Sequence, residues 1–242
     1  MPAKNSILAI GLLWILTFGA ARAMAQEAAR QQISRAELRD IESRLARGEG
    51  GRMLATVQAR LRDGDFREGD RILLRVVGEP ELSDTFTVRT GQMLPLPNLP
   101  NVSLAGLLRS ELEPHLQSEI SKTLRSPQVF ATSFVRLAVT GGVASPGFYQ
   151  IPAAMPLTDA IMLAGGPLPN VKFDRTVLRR RGADVADAST LRGYFARGLS
   201  LDQASVEPGD EIVVARPSSG SNAIPVISLL LALATTVAIF AQ

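Results

Sequence analysis

The sequence of 242 residues contains no cysteine, one histidine (His115) and only 5% aromatic residues. Without cysteine there can be no disulfide scaffold, thiolate zinc site, iron–sulfur cluster, cysteine nucleophile or lipid attached through an N-terminal cysteine. One histidine excludes a multi-histidine metal centre. No Lys/Arg-rich block interleaved with aromatics is present, so nucleic acid is not an expected partner. The formal net charge of +3 does not alter this, because Lys4 and Arg22 in the N-terminal run supply two of those charges and leave +1 for the remainder. Long apolar runs are confined to the two ends, Ile7–Ala21 and Ala223–Ala241, and what lies between has the composition of a soluble globular chain.

Residues 1–25 carry Lys4, an apolar stretch, and then Ala23-Met24-Ala25 ahead of Gln26-Glu27. A positive start, an apolar core shorter than a membrane span and small residues at −3 and −1 predict a signal peptide cleaved after Ala25, hence an exported chain. At the other end, Ala223–Ala241 is free of charge over 19 residues. At a rise of about 1.5 Å per residue, such a run matches a hydrocarbon core about 30 Å thick. Residues 218–222 read as a linker and 223–242 as a transmembrane helix, with Pro225 tolerated in its first turn. Ser228, Ala232, Thr235 and Thr236 form a loose stripe of small and hydroxyl side chains, the kind of surface on which membrane helices approach one another. An even scatter of tolerated polar residues explains them equally well.

Between the ends, residues 26–64 are helical in pattern. Ser34 followed by Glu37 predicts a capping box, with Leu38, Ile41 and Leu45 at helical spacing. A second stretch, Met53–Leu61, puts Met53, Leu54, Val57 and Leu61 on one face and its charges in solvent. From Asp65 strands and turns take over: Arg71–Val77, Thr85–Val88 and the proline-interrupted Leu94–Pro97. The leucines at 104, 107, 108, 112 and 116, with Ile120, predict a helix opened by Ser103 and kinked or divided at Pro114. Val129–Phe134, Arg136–Thr140, Phe148–Ile151, Thr176–Leu178 and Glu211–Val214 return to strand, around short helices at Leu157–Ala164 and Leu191–Ala196. This mixture predicts an α+β fold and not a doubly wound sheet.

Several short stretches occur in a telling order: Asp65-Phe-Arg-Glu-Gly-Asp70 before a strand, Gly78-Glu-Pro-Glu-Leu82, Leu94-Pro-Leu-Pro97, the Leu104–Leu116 helix and Ser126-Pro-Gln-Val129. Together they resemble the polysaccharide export domain of bacterial outer-membrane polysaccharide export proteins. Val139-Thr-Gly-Gly-Val-Ala-Ser-Pro-Gly-Phe-Tyr149, Leu157-Thr-Asp-Ala-Ile161, Ala164-Gly-Gly166 and Glu207-Pro-Gly-Asp210 resemble the soluble-ligand-binding β-grasp (SLBB) module that follows it. The resemblance implies an export domain at 65–135 and an SLBB-like module at 136–217. It also implies a non-enzymatic, homo-oligomeric ring in the cell envelope, facing the periplasm and held more plausibly at the outer than the inner membrane. Capsular or extracellular polysaccharide would pass through it, and an inner-membrane polysaccharide co-polymerase would be its partner. The chain departs from the family in lacking a lipidation cysteine, in having room for one SLBB module only, and in a terminal helix that is apolar where a pore-lining helix is amphipathic. A membrane-anchored glycan-binding or secretion-adaptor module that forms no pore is the alternative.

Other candidate sites are weak. The acids of Asp63–Asp70 do not keep the spacing of a 12-residue calcium loop and read as a turn into a strand. Gly141–Gly147 lacks the Lys-Ser/Thr ending of a phosphate loop and reads as a hairpin connection. His115 has no nucleophile placed to pair with it, and Glu79 with Glu81 is a carboxylate pair such as any exposed turn offers. No catalytic, metal or cofactor residue emerges. For polysaccharide contact the densest aromatic spot is Phe148 and Tyr149, which would stack on sugar if exposed and otherwise belong to the core.

Overall fold

A computed structural model describes residues 31–47 and 51–216. The expected signal peptide, the linker and the terminal helix with Ser228, Ala232, Thr235 and Thr236 lie outside the described residues. Among the described residues no helix is long and apolar enough to cross a membrane.

In chain order the elements are α1 (Arg35–Leu45), α2 (Gly51–Asp63), β1 (Arg71–Val76), β2 (Thr85–Thr87), β3 (Met93–Leu94), β4 (Val102–Ser103), α3 (Leu112–Ile120), β5 (Val129–Gly141) and β6 (Gly147–Pro152). They continue with α4 (Leu157–Leu163), β7 (Val177–Arg180), β8 (Ala183–Ala186), α5 (Ala188–Ala196) and β9 (Glu211–Val214). The capping box at α1 forms: Ser34 Oγ accepts from the Glu37 amide at 3.2 Å, and the Glu37 carboxylate accepts from the Ser34 amide at 2.8 Å. Helix α2 ends at Gly64, whose φ of +71° closes the last turn against Leu107; a Cβ there would fall 2.6 Å from the Leu107 backbone.

One seven-stranded sheet runs through the molecule in the order β2-β1-β5-β9-β7-β8, with β6 on the other side of β5. The two strands predicted at Val129–Phe134 and Arg136–Thr140 are a single strand, β5. Its first half pairs with β1 (Phe134 opposite Arg71) and its second half with β6 (Phe134 opposite Pro152) and, in parallel, with β9. Two turns of one construction feed the strands that flank β5. In Arg67-Glu-Gly-Asp70 and Glu207-Pro-Gly-Asp210 the glycine has φ +90°, and the buried aspartate accepts from the backbone amide three residues back, at 2.8 and 2.9 Å. The first leads into β1 and the second into β9, so the expected turn at Asp63–Asp70 is what forms, and among the described residues no acidic cluster has metal-binding geometry.

The odd-numbered side chains of β5 face the cores and the even-numbered ones face away. Beneath the β1 end, Ile72, Leu74, Val129, Leu112, Leu116 and Ile120 are packed together, with α3 laid across the sheet. Beneath the other end, Val135, Leu137, Val139, Ile151, Ile161, Leu191 and Ile212 pack with α4 and α5. The helical hairpin α1–α2 closes on a third cluster of Ile33, Leu38, Val57 and Leu108.

The predicted Ser103 helix is not as expected. Ser103 is in a strand, 104–108 is irregular, and the helix begins at Leu112. Pro114 therefore falls in the first turn, where its missing N–H leaves no bond unmade, and no kink is needed. The leucines are nevertheless buried, because turns bring Leu104 and Leu108 to the core without helical periodicity. Glu79 and Glu81 lie in a turn and a short 3₁₀ segment (Pro80–Leu82), not on a strand.

Candidate functional site

The side of the sheet away from the helices is open where β2, β1, β5 and β6 meet. Its outward positions follow from strand register: Arg71, Leu73 and Arg75 on β1, Phe130, Thr132, Phe134 and Arg136 on β5, and Phe148, Gln150 and Pro152 on β6. Arg75 lies opposite Phe130, Leu73 opposite Thr132, Arg71 opposite Phe134, and Arg136 opposite Gln150. The two arginines of β1 thus face phenylalanines across the strands, Arg75 with Phe130 and Arg71 with Phe134. Phe148 is 66% exposed and Leu73 37% exposed, and the three arginines are exposed as well. The Arg136 guanidinium sits 4.1 Å above the Phe148 ring, a cation–π arrangement. Among the described residues, Arg71, Arg75 and Arg136 enter no ion pair, and no carboxylate occupies an outward position of β1, β2, β5 or β6.

The expectation for the two aromatic residues divides between them. Tyr149 points to the other face, packs against the core and donates its hydroxyl to the Ser145 carbonyl, whereas Phe148 is exposed beneath Arg136. Among the described residues strand β6 also leaves one edge unpaired. The corresponding edge of β5 is covered instead: Gln117 Oε1 accepts from the Val129 amide and Glu113 Oε2 from the Ala131 amide, so two side chains of α3 replace a missing strand. Burial pushes the Glu113 carboxyl up despite that bond.

A second charged assembly is hidden where α2, the β1 end of the fold and the Asp202 loop converge. Arg60 donates to Asp65 at 2.6 and 3.0 Å and to Asp202 Oδ1 at 2.7 Å. Arg109 donates through its side chain to Asp202 at 3.1 Å and through its backbone amide to Asp65 at 3.0 Å. The other Asp202 oxygen takes the Ile33 amide at 2.8 Å. All four side chains are at most 5% exposed. Two guanidiniums against two carboxylates neutralise each other, the condition for burying charge at all. Burial alone would raise the Asp65 carboxyl, but the Arg109 and Arg60 charges hold it below its ordinary value. Arg60, likewise opposed by burial, is held protonated by Asp202 and Asp65.

This corrects the expectation that the charges of the second helix are simply solvated. The signal was present, since position 60 falls three residues after Val57 on the apolar stripe of α2. Its partner at 202 is too distant in sequence to be found by pattern. His115 is partly buried; its Nε2 lies 2.9 Å from the Ser103 carbonyl, a purely structural contact. Glu81 accepts from Asn98 at 2.7 Å.

Residues 60–133 match the family model described as polysaccharide biosynthesis/export protein, and residues 136–190 match the SLBB domain. The chain carries a polysaccharide export domain followed by an SLBB domain. This ordered pair supports the polysaccharide export protein family, whose members are export and binding proteins and not enzymes. Comparison with curated proteins finds no match. The two matched segments meet within β5, so the export and SLBB domains share one strand. Strand β9, which supplies Ile212 and Val214 to the SLBB core, lies beyond the matched residues. The open face spans both domains: Arg71, Arg75, Phe130 and Thr132 on export-domain strands, and Arg136, Phe148 and Gln150 on SLBB strands.

Proposed function

We propose that this chain is a cell-envelope component of polysaccharide export, assembled as a homo-oligomeric ring and contacting the polymer through Phe148 and the open face around it. The observation that carries the reading is the ordered domain pair built on one continuous sheet, which gives the two domains a common surface. On this reading residues 1–25 export the chain and 223–242 hold it at a membrane, the outer one by preference, close to an inner-membrane polysaccharide co-polymerase. Capsular or extracellular polysaccharide is the cargo, and no chemical step is performed on it.

Removing the gene from its host and scoring surface polymer tests the function. Loss of surface polymer, restored by the intact chain, is the expected result, and undiminished polymer would refute it. Truncation from Ala223 onward tests the terminal run: membrane association should be lost. The pore-free adaptor remains a second reading because only three hydroxyls, Ser228, Thr235 and Thr236, interrupt the apolar run of 19 residues, thin cover for a water-facing wall. Size in mild detergent separates the two, a ring giving a multiple of the mass of the processed chain and the adaptor a monomer.

A further inference from the structure

We propose that the open face selects an acidic polysaccharide, one bearing carboxylates such as uronic acids, and grips it along a track from Arg75 to Phe148. The inference rests on the export reading above and adds the chemical class of the polymer.

Three features of the face lead to this occupant. First, its charge on β1, β2, β5 and β6 is of one sign; on the neighbouring β9 the outward carboxylate, Glu211, accepts from Thr140 Oγ1 at 2.6 Å. Arg71, Arg75 and Arg136 are exposed and form no ion pair among the described residues, while every outward neighbour on β1, β2, β5 and β6 is uncharged. A protein surface with scattered charges normally mixes the signs, as this molecule does at Arg179 with Asp184, 3.0 Å apart, and at Arg62 with Asp63, 2.8 Å apart. Among the described residues the three arginines on the open face have no carboxylate partner, and a carboxylate from outside completes them. Arginine suits this because its planar fork binds a carboxylate through two parallel hydrogen bonds and keeps its charge at any pH the envelope meets.

Second, aromatic rings lie between the arginines. Phe130, Phe134 and Phe148 supply apolar faces for the carbon side of a sugar ring, and the cation–π contact at 4.1 Å holds the Arg136 guanidinium over Phe148. Stacking orders that side chain in advance, so less freedom is lost when it takes a carboxylate.

Third, the spacing suits a chain and not a small molecule. Arg71 and Arg75 are four residues apart on one strand, about 13 Å at 3.3 Å per residue. Phe134 and Arg136 continue the row across the domain boundary. Each arginine contact is solvent-exposed and therefore weak. A repeating polymer gains from several weak contacts at once and still slides, as a conduit requires.

The test uses the full-length protein in mild detergent, with polygalacturonate as the acidic probe and dextran as the neutral one. Wild-type protein should bind polygalacturonate at least tenfold more tightly than dextran, and the preference should shrink as sodium chloride is raised. The triple substitution Arg71→Gln, Arg75→Gln and Arg136→Gln should abolish the preference with an unchanged circular dichroism spectrum, and Phe148→Ala should weaken both polymers. Three results overturn the inference: equal affinity for the two polymers, no binding of either, or a preference that survives in the triple variant. A face covered by a second copy also overturns it, and would appear as amide protection of 71–76 and 147–152 in the polymer-free protein that disappears on dilution. The export reading is judged separately, by whether the wild-type gene restores surface polymer to its deletion strain. Restoration with no acidic preference sinks the inference alone, and failure of restoration sinks the reading beneath it.

Discussion

Arg60 and Arg109 on one side of this molecule, and Arg71, Arg75 and Arg136 on the other, are the same residue type put to opposite uses. The first two are at most 5% exposed and are tied to Asp65 and Asp202 by hydrogen bonds of 2.6 to 3.1 Å. The other three stand on an exposed sheet face and, among the described residues, enter no ion pair. In the buried pair, the energy lies in what removal would leave behind, an uncompensated charge in a low-dielectric interior. On the face, water already satisfies the guanidiniums, and their value is realised only when something binds. The hidden cluster joins α1, α2, the export domain and the SLBB domain through Asp202, and so fixes how the domains sit; the face is what that fixed arrangement presents to solvent.

The contrast has its largest expected consequence at Asp202. Asp202→Ala strips Arg60 and Arg109 of a shared counter-charge and orphans the Ile33 amide, so stability should fall by about 3–5 kcal/mol. At roughly 2–4 °C per kcal/mol for a chain of this size, thermal unfolding should shift down by about 10 °C. The Arg71, Arg75 and Arg136 substitutions to glutamine should move it by less than about 0.5 kcal/mol each. A small shift for Asp202→Ala would mean that the buried cluster does not hold the domains together.

Next in size is the difference between the two sides of the sheet. Leu137, fully buried beneath β5, and Phe148, exposed on β6, are both large apolar residues of the SLBB domain. Leu137→Ala should cost about 2–5 kcal/mol in chemical denaturation. Phe148→Ala should stay within about 0.5 kcal/mol, because its ring already lies in water. If Phe148→Ala proves as damaging as Leu137→Ala, the ring belongs to a covered interface and the face is not open.

The acid limb of the stability profile distinguishes two buried aspartates that flank one turn. Arg109 and Arg60 overcome the desolvation of Asp65 and hold its folded carboxyl below the ordinary value of about 4. The stability it lends is therefore present above that value and is lost as pH falls towards the depressed one. Asp70 runs the other way. Desolvation, only partly offset by the Arg67 amide, raises its carboxyl, so its ionisation opposes folding at neutral pH and the penalty lifts as pH drops through the raised value. Asp65→Asn should lower stability at pH 7 and flatten the fall between about pH 5 and 3, whereas Asp70→Asn should raise stability at pH 7 and steepen the fall. Urea denaturation at stepped pH reads both, and identical profiles for the two variants would contradict this assignment.

How far these arrangements can be read in the sequence depends on the range of the interaction. The Ser34–Glu37 cap, the Gly69-Asp70 and Gly209-Asp210 turns, and the β5–β6 hairpin are local and follow from neighbouring residues. So does the domain order, because each domain keeps its own run of short motifs. The late start of α3 was obscured because Leu104 and Leu108 are buried for reasons other than helical periodicity. The continuity of β5 was obscured because both of its faces are apolar: Val135, Leu137 and Val139 on one side and Phe130, Phe134 and Ala138 on the other leave the alternation without a sign. The same ambiguity hid the open face, since phenylalanine on a strand reads as core until the partner strands place Arg71 and Arg75 on the same side. Arg60 with Asp202 is a tertiary contact spanning 142 residues, and no local rule reaches that far.

The smallest effect tests the inner side of the same strand. Ser133, one residue from the outward Phe134, faces the core at 3% exposure, and among the described residues its hydroxyl has no hydrogen-bond partner. An unsatisfied buried hydroxyl carries a desolvation penalty that replacement by a methyl group removes, with almost no change of shape. Ser133→Ala should therefore be neutral or stabilising by up to about 1 kcal/mol in chemical denaturation, the reverse of the usual sign for a substitution in a sheet core. Ser133 stands where the export-domain ladder passes into the SLBB ladder, and its carbonyl accepts from the Ala153 amide at 2.9 Å, a main-chain bond that does not depend on the side chain. The backbone bond is thus preserved, and the measurement isolates the side chain. A loss of stability above about 1 kcal/mol would mean that the hydroxyl is satisfied in solution by a group from outside the chain, and the junction of the two domains would then be wetter than the fold implies.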